Sequence, residues 1–137
     1  MSRSKCQDAI LSVRNLQVYF PVKKGVMKRG VGYVHAVEDV SFDVRPREVF
    51  ALVGESGCGK TTTGSSILRL IKPTGGKVYF KGEELGALSE HTLRLKRRDM
   101  QFVFQNPYSS LNPRMNVYQL LSEPLKLHFD LKGTELR

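Results

Sequence analysis

The segment ALVGESGCGKTTT, residues 51–63, leaves the fewest folds open to this chain. Before it, Val49–Val53 carries no polar residue, as suits a strand covered on both faces in a parallel α/β sheet. After it, residues 60–71 can form a helix that turns Ile67, Leu68 and Leu70 or Ile71 toward the sheet. Pro73, Gly75 and Gly76 then end that helix. Between the two lie Gly54, Gly57 and Gly59, so the predicted unit is strand, glycine loop, helix.

Gly54, Gly59, Lys60 and Thr61 fill the fixed positions of the pattern G-x-x-x-x-G-K-[ST]. Phosphate oxygens must lie against backbone N–H groups, and glycines remove the β-carbons that would block that approach while permitting left-handed turns. The loop residues Gly54, Glu55, Ser56, Gly57, Cys58 and Gly59, with Lys60, Thr61 and Thr62, are therefore the candidate cradle for a nucleoside triphosphate. The amides at the helix start add a positive dipole end of about 0.3–2 kcal/mol. Each charge-assisted bond from Lys60 adds about 1.5–3 kcal/mol. Lys60 is expected to reach the β- and γ-phosphates and the Thr61 hydroxyl to bind Mg²⁺, most simply with ATP. The base is not encoded in the loop.

Elsewhere the pattern is mostly strand. In ILSVRNLQVYF, Leu11, Val13, Leu16, Val18 and Phe20 nearly alternate, which predicts a half-buried antiparallel strand at an edge or second position. A basic, glycine-bearing loop over residues 22–32 leads to a second alternating run with Val40, Phe42 and Val44, then a turn at Arg45, Pro46 and Arg47. KVYF is a short strand with a turn at Gly82. Ser89 can cap a polar helix that carries Leu93, and Met100–Phe104 reads as another apolar strand. Residues 106–115 are too rich in Pro, Asn and Ser for regular structure, and the helix after them is expected to break at Pro124.

Composition narrows the setting. The chain has 137 residues, of which 40% are hydrophobic, enough for one domain or part of one. No run approaches the roughly 18 apolar residues that cross a bilayer, and the polar start has no signal segment. A cytosolic chain, held at a membrane only by a partner, is expected. The two cysteines, Cys6 and Cys58, give neither a disulfide framework nor metal-ligand spacing, as in a reducing compartment. The net charge of +9, clustered at Lys23, Lys24, Lys28 and Arg29 and at Arg94, Lys96, Arg97 and Arg98, favours anionic partners. No aromatic residues interleave the basic clusters and no RNA-binding or zinc signature accompanies them, so nucleic acid is not an expected partner.

GESGCGKTTT, together with MQFVFQNPYSSLNPRM downstream, resembles the ATP-binding subunits of ABC transporters, and among them the dipeptide and oligopeptide importer ATPases. The resemblance runs from about Leu11 onward. It implies a P-loop NTPase (RecA-like) α/β core with an antiparallel β subdomain over residues 1–105 and the start of the helical subdomain over 106–137. It makes Gln105 the Q-loop glutamine, which joins the Mg²⁺ and the attacking-water environment, so that Lys60 and Gln105 are the catalytic candidates and Thr61 and Gln105 the metal candidates. Phe20, or Tyr19 in second place, takes the position of the aromatic that stacks on adenine.

The resemblance also implies partners: transmembrane permease subunits, a second ATP-binding subunit, and indirectly a solute-binding protein, at the cytoplasmic face of the membrane. Peptide-like solutes are the implied cargo. No Walker B aspartate with its glutamate, S-G-G-Q signature or switch histidine occurs among these residues; His35, His91 and His128 lie in other contexts. The family pattern places all of these beyond Arg137. The expectation is an N-terminal piece whose turnover is at least about 10³-fold below that of a complete domain. The alternative is a short nucleotide-binding or interaction module that does not hydrolyse.

Overall fold

The computed structural model describes residues 9–23 and 31–129. The polar start with Cys6, and Lys24, Lys28 and Arg29 of the first basic cluster, lie outside the described residues. The chain divides after Ser89 into two compact units.

In the first unit, β1 (Leu11–Lys23) and β2 (Val31–Val44) form a long antiparallel pair, and β3 (Gly75–Phe80) pairs with the other side of β1. A two-residue strand, β4 (Glu83–Glu84), completes the order β2-β1-β3-β4. Of the two expected positions, edge or second, β1 takes the second, because β3 pairs with its other side. Both long strands also run further than the alternation suggested: Val22 and Lys23 belong to β1, and Val31 and Gly32 to β2, inside the stretch expected to be loop.

Alternation buries Val13, Leu16 and Val18 of β1, Val37 of β2, and Val78 and Phe80 of β3. Each full burial of such a side chain contributes about 1.5–3 kcal/mol. The register slips three times between β1 and β2. Where Val18 faces Val37 and Tyr19 faces His35, Ala36 is the extra residue of a bulge. Asn15 and Asp39, at the other slips, take left-handed φ values of 47° and 51°, and the Asn15 amide donates to Asp39 Oδ1 at 2.6 Å.

Helix α1 (Lys60–Ile67) packs on β1 and β2. It turns Thr63, Ser65 and Ser66 inward, small residues that allow close approach to the sheet. The expected helix over 60–71 is therefore shorter, and of its apolar residues only Leu68 is buried; Leu70 is 54% exposed. The cause is a Schellman closure. Arg69 adopts φ 57°, its N–H donates to Ser66 O at 3.0 Å, and the Leu70 N–H donates to Ser65 O at 2.9 Å.

Val49–Val53 differs most from expectation. It forms no ladder among the described residues, and Val49 and Val53 are 97% and 90% exposed. A parallel strand takes its hydrogen bonds from neighbours reached by a crossover, so an apolar run with no such neighbour stays unpaired. Phe50 stacks 4.7 Å from Phe42 of β2.

The second unit begins with α2 (Glu90–Lys96), directly after Ser89, with Leu93 fully buried, and passes into a 3₁₀ turn at Arg97–Asp99. Met100–Phe104 also lacks a ladder among the described residues. Within it Phe102 and Phe104, two residues apart, stack edge-to-face at 4.8 Å. The Pro- and Asn-rich stretch contains one 3₁₀ turn, Pro107–Ser110. Helix α3 (Val117–Phe129) then runs through Pro124 instead of breaking there. Its start is fixed by a reciprocal cap: Gln119 N–H donates to Asn116 Oδ1 at 2.8 Å, and Asn116 N–H to Gln119 Oε1 at 2.9 Å.

Candidate functional site

The glycine loop lies in the first unit, between Val49–Val53 and α1. Gly57 and Gly59 take φ values of 82° and 91°, the left-handed region in which a β-carbon is disfavoured. A β-carbon at Gly59 would also overlap the carbonyl oxygen of Ala36, and one at Gly54 would come within 2.5 Å of Cys58 Sγ. At Gly57 the same position opens onto free space. Two glycines thus let the loop close on its own protein, and the third keeps its outer side clear.

Gly59 is the residue before α1 and has no side chain to cap it, and the first turn contains no acid. The amides there keep their partial positive charge, the condition under which a helix start attracts anions. The turn is braced from within: Thr63 N–H and Thr63 Oγ1 both donate to Gly59 O, at 2.8 and 3.0 Å. Lys60 Nζ donates to Gly54 O at 2.7 Å and Glu55 O at 2.6 Å, and lies 3.4 Å from Cys58 Sγ. An ammonium has three N–H donors, so two hold the loop while the third remains on the side of the thiol. Glu55, Ser56, Cys58 and Thr61 are exposed, and Thr62 is half-buried.

These donors fit a polyphosphate. Open space at Gly57 admits a ligand, and the uncapped amides and the lysine anchored by the loop attract negative charge. The Thr61 hydroxyl is a hard oxygen ligand that a cation sharing phosphate oxygens accepts. No group of three His, Cys, Asp or Glu that could hold a metal alone occurs among the described residues.

Strand parity separates the two aromatic candidates. Phe20 stands two residues from the buried Val18, on the same face of β1, and is 40% exposed. Tyr19 points to the other face, where its ring stacks on His35 at 4.0 Å and its hydroxyl donates to Glu38 at 3.5 Å. Loss of hydration first, then the nearby Glu38 and Asp39 carboxylates, push the Tyr19 phenol above its ordinary value. Gln105 belongs to the second unit, exposed at the end of Met100–Phe104. Sequence reasoning missed Ala36 and Thr63; the register slip beside Ala36 has no signature in the residue pattern.

Comparison with known proteins identifies the family. The ABC transporter family pattern matches residues 37–135. The glutathione import ATP-binding protein GsiA of Escherichia coli O157:H7 is 48% identical over 128 residues, and that of Escherichia coli K12 47%. These matches cover 93% of this chain and 20% of the relatives, so the chain spans about a fifth of their length. Among solved structures, the dimeric bacterial ABC transporter cassette MJ0796 superposes with a TM-score of 0.71 at 28% identity, covering 90% of this chain and 49% of that one. A second structure of MJ0796, in a post-hydrolysis state bound to ADP and Pi, gives 0.70 with the same coverage. With the family matched over most of its length, the chain belongs to the ABC transporter family.

Proposed function

We propose that residues 54–62 bind the triphosphate of ATP with Mg²⁺, and that the chain is the nucleotide-binding part of an ABC importer's ATP-binding subunit. The observation that carries this reading is the Lys60 ammonium, held 2.7 and 2.6 Å from the Gly54 and Glu55 carbonyls beside an uncapped helix start. The loop amides and Lys60 bind and orient the phosphates, and the Thr61 hydroxyl contributes to the Mg²⁺ shell. Mg²⁺ supplies charge neutralisation between phosphate oxygens when bound. By the family resemblance, Gln105 is the further residue for the metal and for catalysis. Phe20 stacks on adenine, supported by its place on the face of β1 that carries Val18.

Residues 1–105 act as the nucleotide-binding core and 106–137 as the start of the helical subdomain. In the whole protein, ATP binding and hydrolysis drive the uptake of peptide-like solutes. Support comes from the glutathione import proteins, whose named cargo is a small peptide. The partners are transmembrane permease subunits, a second ATP-binding subunit as in the dimeric cassette, and indirectly a solute-binding protein. The place of action is the cytoplasmic face of the membrane, reached through the permease; among the described residues no helix is long and apolar enough to cross.

Calorimetry tests the reading. The folded chain should release or absorb heat on titration with MgATP, and Lys60→Ala should weaken binding at least about tenfold, or about 1.4 kcal/mol, with an unchanged circular dichroism spectrum. No heat from the folded chain at millimolar MgATP, or equal binding by the variant, sinks it.

A further inference from the structure

We infer that Tyr19, His35 and Glu38 form a positioning clamp that holds the Ala36 bulge and, through the Ala36 carbonyl, sets the glycine loop for phosphate; that this loop takes phosphate rests on the function proposed above. In a regular strand, residues three apart point to opposite faces. His35 and Glu38 are three apart, yet their side chains meet on one face, with His35 Nδ1 3.3 Å from Glu38 Oε2. Ala36, the extra residue between the Val18–Val37 and Tyr19–His35 pairs, reverses the parity. The contact therefore exists only while the bulge does, and each stabilises the other.

Tyr19 completes the clamp from β1. Its ring stacks on His35 with centroids 4.0 Å apart, and its hydroxyl donates to Glu38 Oε1 at 3.5 Å, so one carboxylate bridges the two rings. A carboxylate only accepts, and His35 Nδ1 therefore carries the proton in this contact. Val37, between Ala36 and Glu38, turns the other way. It is buried opposite Val18, and its Cγ2 lies 3.4 Å from where a β-carbon on Gly59 would stand. Loop and clamp thus occupy opposite faces of β2 and communicate through the main chain. A bulge free to relax moves the Ala36 oxygen, against which Gly59 has no slack.

The test uses the full chain with two readouts: calorimetry with magnesium and inorganic triphosphate, which has no base, and the Gly59 amide resonance of the ligand-free chain by NMR. Glu38→Met keeps both rings and removes the carboxylate. Exposed pairs are weak, so triphosphate affinity should fall about two- to fivefold, and the Gly59 resonance should shift. His35→Phe keeps a ring on Tyr19, removes the donor, and should lower affinity to a similar extent, with no further loss in the double variant. Glu38→Gln retains an accepting oxygen and should restore most of the affinity and return the resonance. Lys77→Met breaks the ion pair between β3 and β4 and should change neither readout. Circular dichroism verifies each variant. Unchanged affinity or an unmoved resonance in folded Glu38→Met, additive losses in the double variant, or an equal loss in Lys77→Met overturns the inference. A wild-type chain that binds no triphosphate sinks the nucleotide reading, and the Gly59 resonance alone then decides the clamp.

Discussion

Gly59 of the loop abuts the main-chain carbonyl of Ala36, at the one residue of β2 left over between the Val18–Val37 and Tyr19–His35 pairs. The glycine loop is therefore seated on a strand bulge, and the seat has no room for a methyl group. Gly59→Ala combines that overlap with a left-handed φ of 91°. Strained backbone of this kind costs about 1–3 kcal/mol. The expected outcome is a lower melting temperature together with MgATP affinity reduced more than tenfold. Gly57→Ala meets open space and keeps only the φ cost, so its melting temperature should fall less.

Strand parity orders the two aromatic substitutions. Phe20 shares its face of β1 with Val18, while Tyr19 stacks on His35 across the sheet. Phe20→Ala should weaken ATP binding by about 1–3 kcal/mol, the scale of one base–aromatic stack. Tyr19→Ala should change it by less than half of that. Titration with ATP and with inorganic triphosphate discriminates further, because the Phe20 effect should vanish when no base is present.

Ser66 offers a stability test. It is fully buried on α1, and its hydroxyl finds no hydrogen-bond partner among the described residues. An unsatisfied buried hydroxyl costs about 1–3 kcal/mol. Ser66→Ala removes it with little change in volume and should raise the urea midpoint at an unchanged slope. A lowered midpoint would show that the hydroxyl has a partner.

Asp43 gives the pH dependence. The Ser12 hydroxyl donates to its Oδ1 at 2.6 Å and Arg14 Nη2 lies 2.6 Å from the same oxygen; these contacts, Ser12 first, hold its carboxyl below the usual carboxylate range. A lowered folded value adds stability above the unfolded value of about 3.9, and that stability is lost as pH falls through the folded value. Acid unfolding below about pH 5 should therefore be shallower in Asp43→Asn. In Ser12→Ala, carboxyl chemical shifts should report a raised Asp43 titration.

Local features were legible in the sequence and non-local ones were not. The glycine loop, the start of α1 at Lys60, the alternation that buries Val13, Leu16 and Val18, and the turn at Arg45–Arg47 depend on neighbours a few residues away. Val49–Val53 and Met100–Phe104 were expected as strands because apolar runs look alike whether or not a partner exists; pairing is settled elsewhere in the chain. Pro124 was expected to break α3. It removes one ladder donor and its ring crowds the carbonyl four residues back, yet the helix, fixed upstream by the Asn116–Gln119 cap, continues through it. The end of α1 was misplaced because a left-handed Arg69 performs the closure usually assigned to glycine.

The seat of the loop is a peptide oxygen, so no exchange of side chain at position 36 can supply or relieve it. Spacing is what must be inherited here. A single-residue insertion or deletion between Ala36 and Val44 would slide that oxygen away from Gly59 and turn later side chains over to the opposite face. Across evolution this stretch should tolerate many replacements and very few indels.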